Sequence, residues 1–318
     1  MLRLLLAIFL QLGLQNLAVS DENLWEVVKE SSVASIQTNY SGIISTTDEN
    51  KNIQSTRVIH VNLKGEEFLK IEKIDGAPNL LLMHQTDAVI YDNDKDKILI
   101  QKKQNAKLFP NIFPSNLNRL KENYDILSGG KIRVADRLAQ LLVFTPKDEY
   151  RYFYHLWIDD ETSLPLKMMI TDNNKKTIEN IAFGNIEFLS NEDISWFRPK
   201  FDPSKKYSIN ENKAVVEQGK KVWSISEAPP GFEEVSYQTK RYVGLNTFAH
   251  QFIYSDGLSF ISIFIHPVPK KQKPQVGISR RGSSNIVAEY KKGYQILAVG
   301  SVPADTLQSF ANKVDLNQ

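Results

Sequence analysis

The side chains that could do chemistry in this sequence are few and scattered. The five histidines are His60, His84, His155, His250 and His266. No two have the spacing of a His-x-x-x-His zinc pair. Asp92, Asp94 and Asp96 alternate like the first ligands of a calcium loop. That loop needs Gly at its sixth position and Glu at its twelfth, where this chain has Lys97 and Lys103. A hairpin turn with solvated carboxylates is the expectation. Asp159, Asp160 and Glu161 follow Trp157-Ile158, which suits the polar turn after a strand better than an acid/base pair. Neither a Gly-x-Ser-x-Gly elbow nor a phosphate loop is present, and Gly129-Gly130-Lys131 lacks the latter's spacing. With no cysteine in the chain, thiol nucleophiles, disulfides and Cys-ligated metals are excluded. No catalytic residue, metal or cofactor is expected, and binding without catalysis is the leading reading. A hydrolase would need a Ser-His-Asp site assembled only in space.

The cations do group. Lys270, Lys271, Lys273, Arg280, Arg281, Lys291 and Lys292 fall in one stretch. The formal charge of +2 gives no whole-chain field for nucleic acid. It conceals a division, however. From Lys205 onward there are 15 basic and 9 acidic residues, or +6; from Asp21 to Ser204 there are 23 and 28, or −5. A solvated loop is the plain account of the cluster. A contact surface for an acidic segment or an anionic lipid headgroup is the sharper one. A second group is apolar. Tyr152, Tyr154, Leu156 and Ile158 share one face of a strand, and Phe153, His155 and Trp157 share the other. Neither face suits free solvation, so one needs a cover, a partner or a ligand. A curved sheet with such a face can enclose an acyl chain. Tyr152, Tyr154, Trp157 and Met168 are the candidate lining residues.

The elements that must position these residues fall into two domains, as 318 residues suggest at roughly 150 per domain. Arg3, the apolar run Leu4 to Leu14 and Ala18-Val19-Ser20 have the order of a cleaved export signal over residues 1–20. Leu24 to Ser35 has a helical stripe. Then the period changes to two, with strands expected at Tyr40–Ser45, Thr56–Leu63, Glu67–Lys73, Ala88–Tyr91 and Lys97–Gln101. A helical piece is expected from Ser115 to Leu120, followed by Tyr124 to Leu127 and broken at Gly129-Gly130. Strands resume at Lys131–Val134, Ala139–Pro146, Tyr150–Asp159, Pro165–Thr171 and Ile178–Leu189. Residues 201–220 have no clear period and read as a linker. Residues 221–318 read as a small α+β unit, with strands Glu234–Arg241, Phe248–Ser255, Ser259–His266, Asn285–Lys291 and Tyr294–Gly300. A last helix, Ala304 to Val314, follows Pro303, which is favourable just outside a helix start, and Asp305 suits its first turn.

Several segments carry a family likeness. Lys131-Ile-Arg-Val-Ala-Asp-Arg-Leu138, Tyr152-Phe-Tyr-His-Leu-Trp-Ile-Asp159 and Glu161-Thr-Ser-Leu-Pro-Leu-Lys167 resemble the RseB/MucB family of periplasmic sigma-E regulators. Trp223, Pro229-Pro-Gly-Phe232, Tyr254-Ser-Asp-Gly-Leu258, Arg280-Arg-Gly282 and Val299-Gly-Ser-Val-Pro303 continue it. The resemblance spans the chain after residue 20. It implies an α+β protein: a larger LolA-like unclosed antiparallel β-barrel with helices over residues 21–200, and a smaller C-terminal domain for partner binding. It also implies a periplasmic location and binding to the periplasmic part of an RseA-like anti-sigma factor. The protein would shield that factor from the protease DegS, with lipid or lipopolysaccharide fragments favouring release. Arg280, Arg281, Lys270, Lys271 and Lys273 are the candidate partner contacts. The alternative is a LolA-like periplasmic carrier of lipoprotein or lipid, which needs the cavity but no second basic domain. Self-association as a homo-oligomer is left open by the sequence.

Overall fold

The computed structural model describes residues 21–316 except 86, 93–94, 103–107, 191–192, 199–203, 205, 212–220, 242–247 and 270. The expected export segment 1–20, Asp94, Lys103, Lys270 and most of the expected linker therefore lie outside the described residues. Helix α1 (Asp21–Gln37) opens the chain. Leu24 and Val28 stand one turn apart and are both buried in the larger core. Ser31 and Ser35 are small enough for close approach, and the Ser35 hydroxyl is within hydrogen-bond reach of the carbonyls of Ser31 and Pro110.

An antiparallel meander follows: β1 (Tyr40–Asp48), β2 (Ile53–Leu63), β3 (Glu66–Lys73), β4 (Asn79–His84), β5 (Asp87–Asp92) and β6 (Lys97–Lys102). After α2 (Asn118–Asn123) comes a second meander: β7 (Tyr124–Val134), β8 (Arg137–Pro146), β9 (Phe153–Asp159), β10 (Pro165–Thr171) and β11 (Thr177–Phe188). β11 pairs with β1, so the two meanders join into one sheet. β12 (Ser208–Glu211) adds in parallel to β6. The order is β12-β6-β5-β4-β3-β2-β1-β11-β10-β9-β8-β7. This is an unclosed antiparallel sheet whose inner face is covered by α1, α2 and the irregular segment around Phe113.

The structure departs from the sequence expectation at definite places. β4 went unread because Leu80-Leu81-Leu82-Met83 does not alternate, and both Leu82 and Met83 are buried. Gly129-Gly130 does not end an element. β7 runs through it with a register shift between Ser128 and Lys131. A Cβ on Gly129 would stand 2.6 Å from the Leu141 side chain, so the glycine permits a close approach within a bulge. The helix lies at Asn118–Asn123 rather than Ser115–Leu120. β9 starts at Phe153, because Tyr150 and Arg151 bend away from the sheet. β12 lies within the stretch read as linker, since an unpaired edge of β6 selects a strand that has no pattern of its own.

Three of the sequence segments meet at one corner of this sheet. Ala135 and Asp136 turn β7 into β8 with φ of 48° and 64°. Arg137 then donates from Nε and Nη2 to the two carboxylate oxygens of Asp159, at 2.7 and 2.9 Å. Thr162 donates its backbone N–H and its hydroxyl to the same carboxylate. Burial pushes the Asp159 carboxyl up, but these donors outweigh it and hold the group below its ordinary range. Arg137 and Thr162, both bound to Asp159, thus tie the three sequence segments into one structural corner.

The second domain holds β13 (Trp223–Ile225), β14 (Glu233–Arg241), β15 (Phe248–Ser255), β16 (Phe260–Pro267), β17 (Gly277–Arg281), β18 (Ser284–Lys291), β19 (Tyr294–Gly300), α3 (Ala304–Asn312) and β20 (Val314–Leu316). Six strands form a sheet in the order β14-β15-β16-β19-β18-β17, and β13 pairs with β20. Leu307, Phe310 and Ala311 of α3 are fully buried with Ile261, Ile263, Ile265 and Ala298 on one face of this sheet. Pro303 stands at the helix start and Asp305 in its first turn. The helix stops at Asn312, and Val314 begins β20 instead.

Candidate functional site at the domain seam

The seam between the domains holds a cavity of about 400 Å³. One wall is β9 to β11 of the large sheet, through Tyr154, Met168, Ile170, Glu179 and Ile181. The segment before α2 adds Leu108, Phe109 and Ile112. The other wall is the second sheet's free face, through Ser259, Phe260, Ser262, Ser284, Val299 and Ser301. The cavity is apolar on the first-domain side and rich in hydroxyls on the other. Glu179 is the acid in it. Burial pushes its carboxyl above the usual range, against a hydrogen bond from Ser283. A further hollow of about 430 Å³ runs along α1, but Glu26, Lys29 and Glu30 line it and it is open.

One end of the seam is a buried polar knot. Arg151 is fully buried, and its Nε donates to Asp256 Oδ2 at 3.0 Å. It also pairs with Asp148, donates to the Pro230 carbonyl and stacks on Phe232 at 4.6 Å. The Tyr124 hydroxyl donates to Asp256 Oδ2 at 2.9 Å, and the N–H groups of Leu258 and Ser259 fill Oδ1. Asn123 donates to the carbonyls of Gly231 and Asp256. Burial pushes the Asp256 carboxyl up and the Tyr124 hydroxyl well above its ordinary value. Gly231 has φ of +74°, and a Cβ there would sit 1.9 Å from Asn123 Oδ1. Only glycine fits. The Pro-Pro-Gly-Phe and Tyr-Ser-Asp-Gly-Leu segments are therefore the second domain's half of this knot.

The other end is more open. Arg280 Nη1 donates to Glu49 Oε2 at 2.9 Å, and Lys176 Nζ meets the same oxygen at 2.9 Å. Between the two ends, Asn285 donates to the Tyr152 hydroxyl at 3.0 Å, and the Tyr154 hydroxyl meets Ser259 Oγ at 2.9 Å.

The candidate residues separate accordingly. Tyr154 and Met168 line the cavity, and Tyr152 stands beside it on Asn285. Trp157 belongs to a different core, with Tyr40, Ile44 and Leu166, and carries Lys167 Nζ 4.4 Å over its ring. Among the cations, Arg280 is engaged with Glu49 across the seam, whereas Lys271, Lys273 and Arg281 are exposed. Lys270 is outside the described residues. The sequence reading missed Arg151, Asp256 and Glu179. A lone arginine in an aromatic strand and an aspartate in a Ser-Asp-Gly turn gave no signal of pairing, because 105 residues separate them. Among the described residues no group of three or more His, Asp or Glu could hold a metal.

The sequence matches two family models, the MucB/RseB N-terminal domain over residues 26–201 and the MucB/RseB C-terminal domain over 217–315. It is 24% identical over 292 residues to the sigma-E factor regulatory protein RseB of Salmonella typhimurium, covering 91% of this chain and 89% of that one. It is 26% identical over 212 residues to the sigma factor AlgU regulatory protein MucB of Pseudomonas aeruginosa, covering 65% of each. The crystal structure of MucB in complex with MucA(peri) superposes with a TM-score of 0.73 at 21% identity, over 92% of this chain and 99% of that one. At that identity the likeness speaks for the fold. A corner built from Arg137 and Asp159, a knot built from Gly231 and Asp256, and a match running through both domains lead to one conclusion: the chain belongs to the MucB/RseB family.

Proposed function

We propose that this protein is a periplasmic regulator that binds the periplasmic segment of an RseA-like anti-sigma factor and shields it from a DegS-type protease. The observation that carries the proposal is the family match through both domains. The second, 217–315, is the basic domain that a simple lipid carrier does not need. Two relatives are regulatory proteins of sigma factors, and a MucB has been crystallised with MucA(peri). Inhibition by occlusion needs surface and no nucleophile. Lys271, Lys273 and Arg281 are the exposed cations available for the contact. No helix among the described residues is long and apolar enough to cross a membrane. Delivery to the periplasm rests on the export signal in residues 1–20.

The seam cavity supports the second half of the proposal, that a lipid or lipopolysaccharide fragment favours release of the partner. An acyl chain would lie against Met168, Ile170 and Ile181. A ligand that binds only the free protein lowers apparent partner affinity by linkage. A pull-down from envelope extract tests the main reading. Recovery of a membrane anti-sigma factor is expected, and recovery of lipoproteins instead would favour the carrier. Native mass spectrometry should show an acyl ligand that Met168→Glu displaces; absence of any such adduct would remove the lipid half.

A further inference from the structure

β17 is an edge strand. Its residues Gly277–Arg281 pair with β18 on one side and, among the described residues, with no strand on the other. An edge offers unpaired N–H and C=O groups to an incoming strand. Three edges of the two large sheets are five residues or longer, and they differ in charge. β7 exposes Leu127 and Ile132, but its cations are neutralised: Lys131 by Asp160 and Arg133 by Asp136. β14 begins with Glu233 and Glu234, which are held by Arg119 and Lys221. At β17, Val276 and Ile278 are 73% and 60% exposed. No acidic side chain pairs with Lys271, Lys273 or Arg281 among the described residues. From Gly257 to Ala288 the sequence holds no Asp or Glu at all.

We propose that β17 is a docking edge for an extended, acidic segment of a protein partner, which adds to the second sheet as a further strand. Main-chain hydrogen bonds along Gly277–Arg281 would supply affinity. Apolar side chains of the segment would cover Val276 and Ile278. Carboxylates would face Arg281, Lys271 and Lys273, giving the encounter its salt dependence. Arg280 stays on Glu49 and is not part of the contact. The proposed docking rests on the anti-sigma reading above and specifies the surface it uses. Short edges flanked by lysine and proline are also a device that keeps strands from pairing, and the experiment separates the two.

The experiment is hydrogen exchange on the full chain, with and without saturating periplasmic segment of the anti-sigma factor recovered in the pull-down. Amides of 276–281 should slow at least about tenfold on binding, as newly hydrogen-bonded edge amides do. The exposed-site variant Ile278→Lys with Arg281→Glu should raise Kd about tenfold or more and flatten its dependence on salt, while Ile132→Lys on β7 should change Kd less than about twofold. Binding with unprotected 276–281 amides, or an unchanged Kd in the double variant, overturns the docking edge while leaving the anti-sigma reading intact. Failure of the wild-type chain to bind any anti-sigma segment would overturn both.

Discussion

The two ends of the domain seam use the same kind of bond in different surroundings. At the knot, Arg151 and Asp256 are both fully buried, and every oxygen of Asp256 has a donor. At the far end, Arg280 and Glu49 remain 24% and 14% exposed at the side chain. Burial raises the cost of breaking a pair, because a lone charge is left in a poor dielectric, whereas a charge near water is rescued by solvent. The Arg151–Asp256 pair should therefore cost more to break than the Arg280–Glu49 pair. The cavity lies between them and is lined by both domains.

That contrast can be broken in three places. The largest effect is expected for Asp256→Ala, which takes from buried Arg151 its fully buried carboxylate partner and should cost about 3–5 kcal/mol in urea unfolding. A loss below about 1 kcal/mol would erase the distinction between the ends. Gly231→Ala comes next. Its Cβ would collide with Asn123 and adopt a left-handed backbone, at about 2–3 kcal/mol. Unchanged stability would mean that the knot yields. Arg280→Gln should lower stability by less than about 1 kcal/mol. Its sharper readout is small-angle scattering, where a change in domain spread is expected for Arg280→Gln and none for Ile132→Lys. An identical scattering curve would remove the releasable end.

Much of the fold was legible along the chain. The period of two between Tyr40 and Leu189 marks most strands, because one face of each is buried and the other is not. Strands lacking that asymmetry are not legible, as with β4, whose neighbouring Leu82 and Met83 are both buried, and β12, held by its neighbour's edge. Gly129-Gly130 misled because a glycine in a bulge and a glycine at a break have the same local sequence. The site was legible in part. Tyr154 is legible from the two-sided aromatic strand and Met168 from the strand after it, while Trp157 lies in another core. The other side of the cavity, with Val299, Ser301 and Ser284, comes from a domain more than 100 residues away.

The sequence by itself determined the class of protein. It excluded thiol and metal-cysteine chemistry, divided the charge between two halves and carried the family segments, since these depend on residue type and local order. Only the tertiary structure decided what those residues do. It assigned Arg280 to the seam and left Arg281 in solvent, although the two are adjacent. It also joined two family segments through one part-buried ion pair, Arg137 with Asp159. The reason is physical. Burial and pairing depend on groups brought together from distant positions, and strand alternation sends neighbouring side chains to opposite faces.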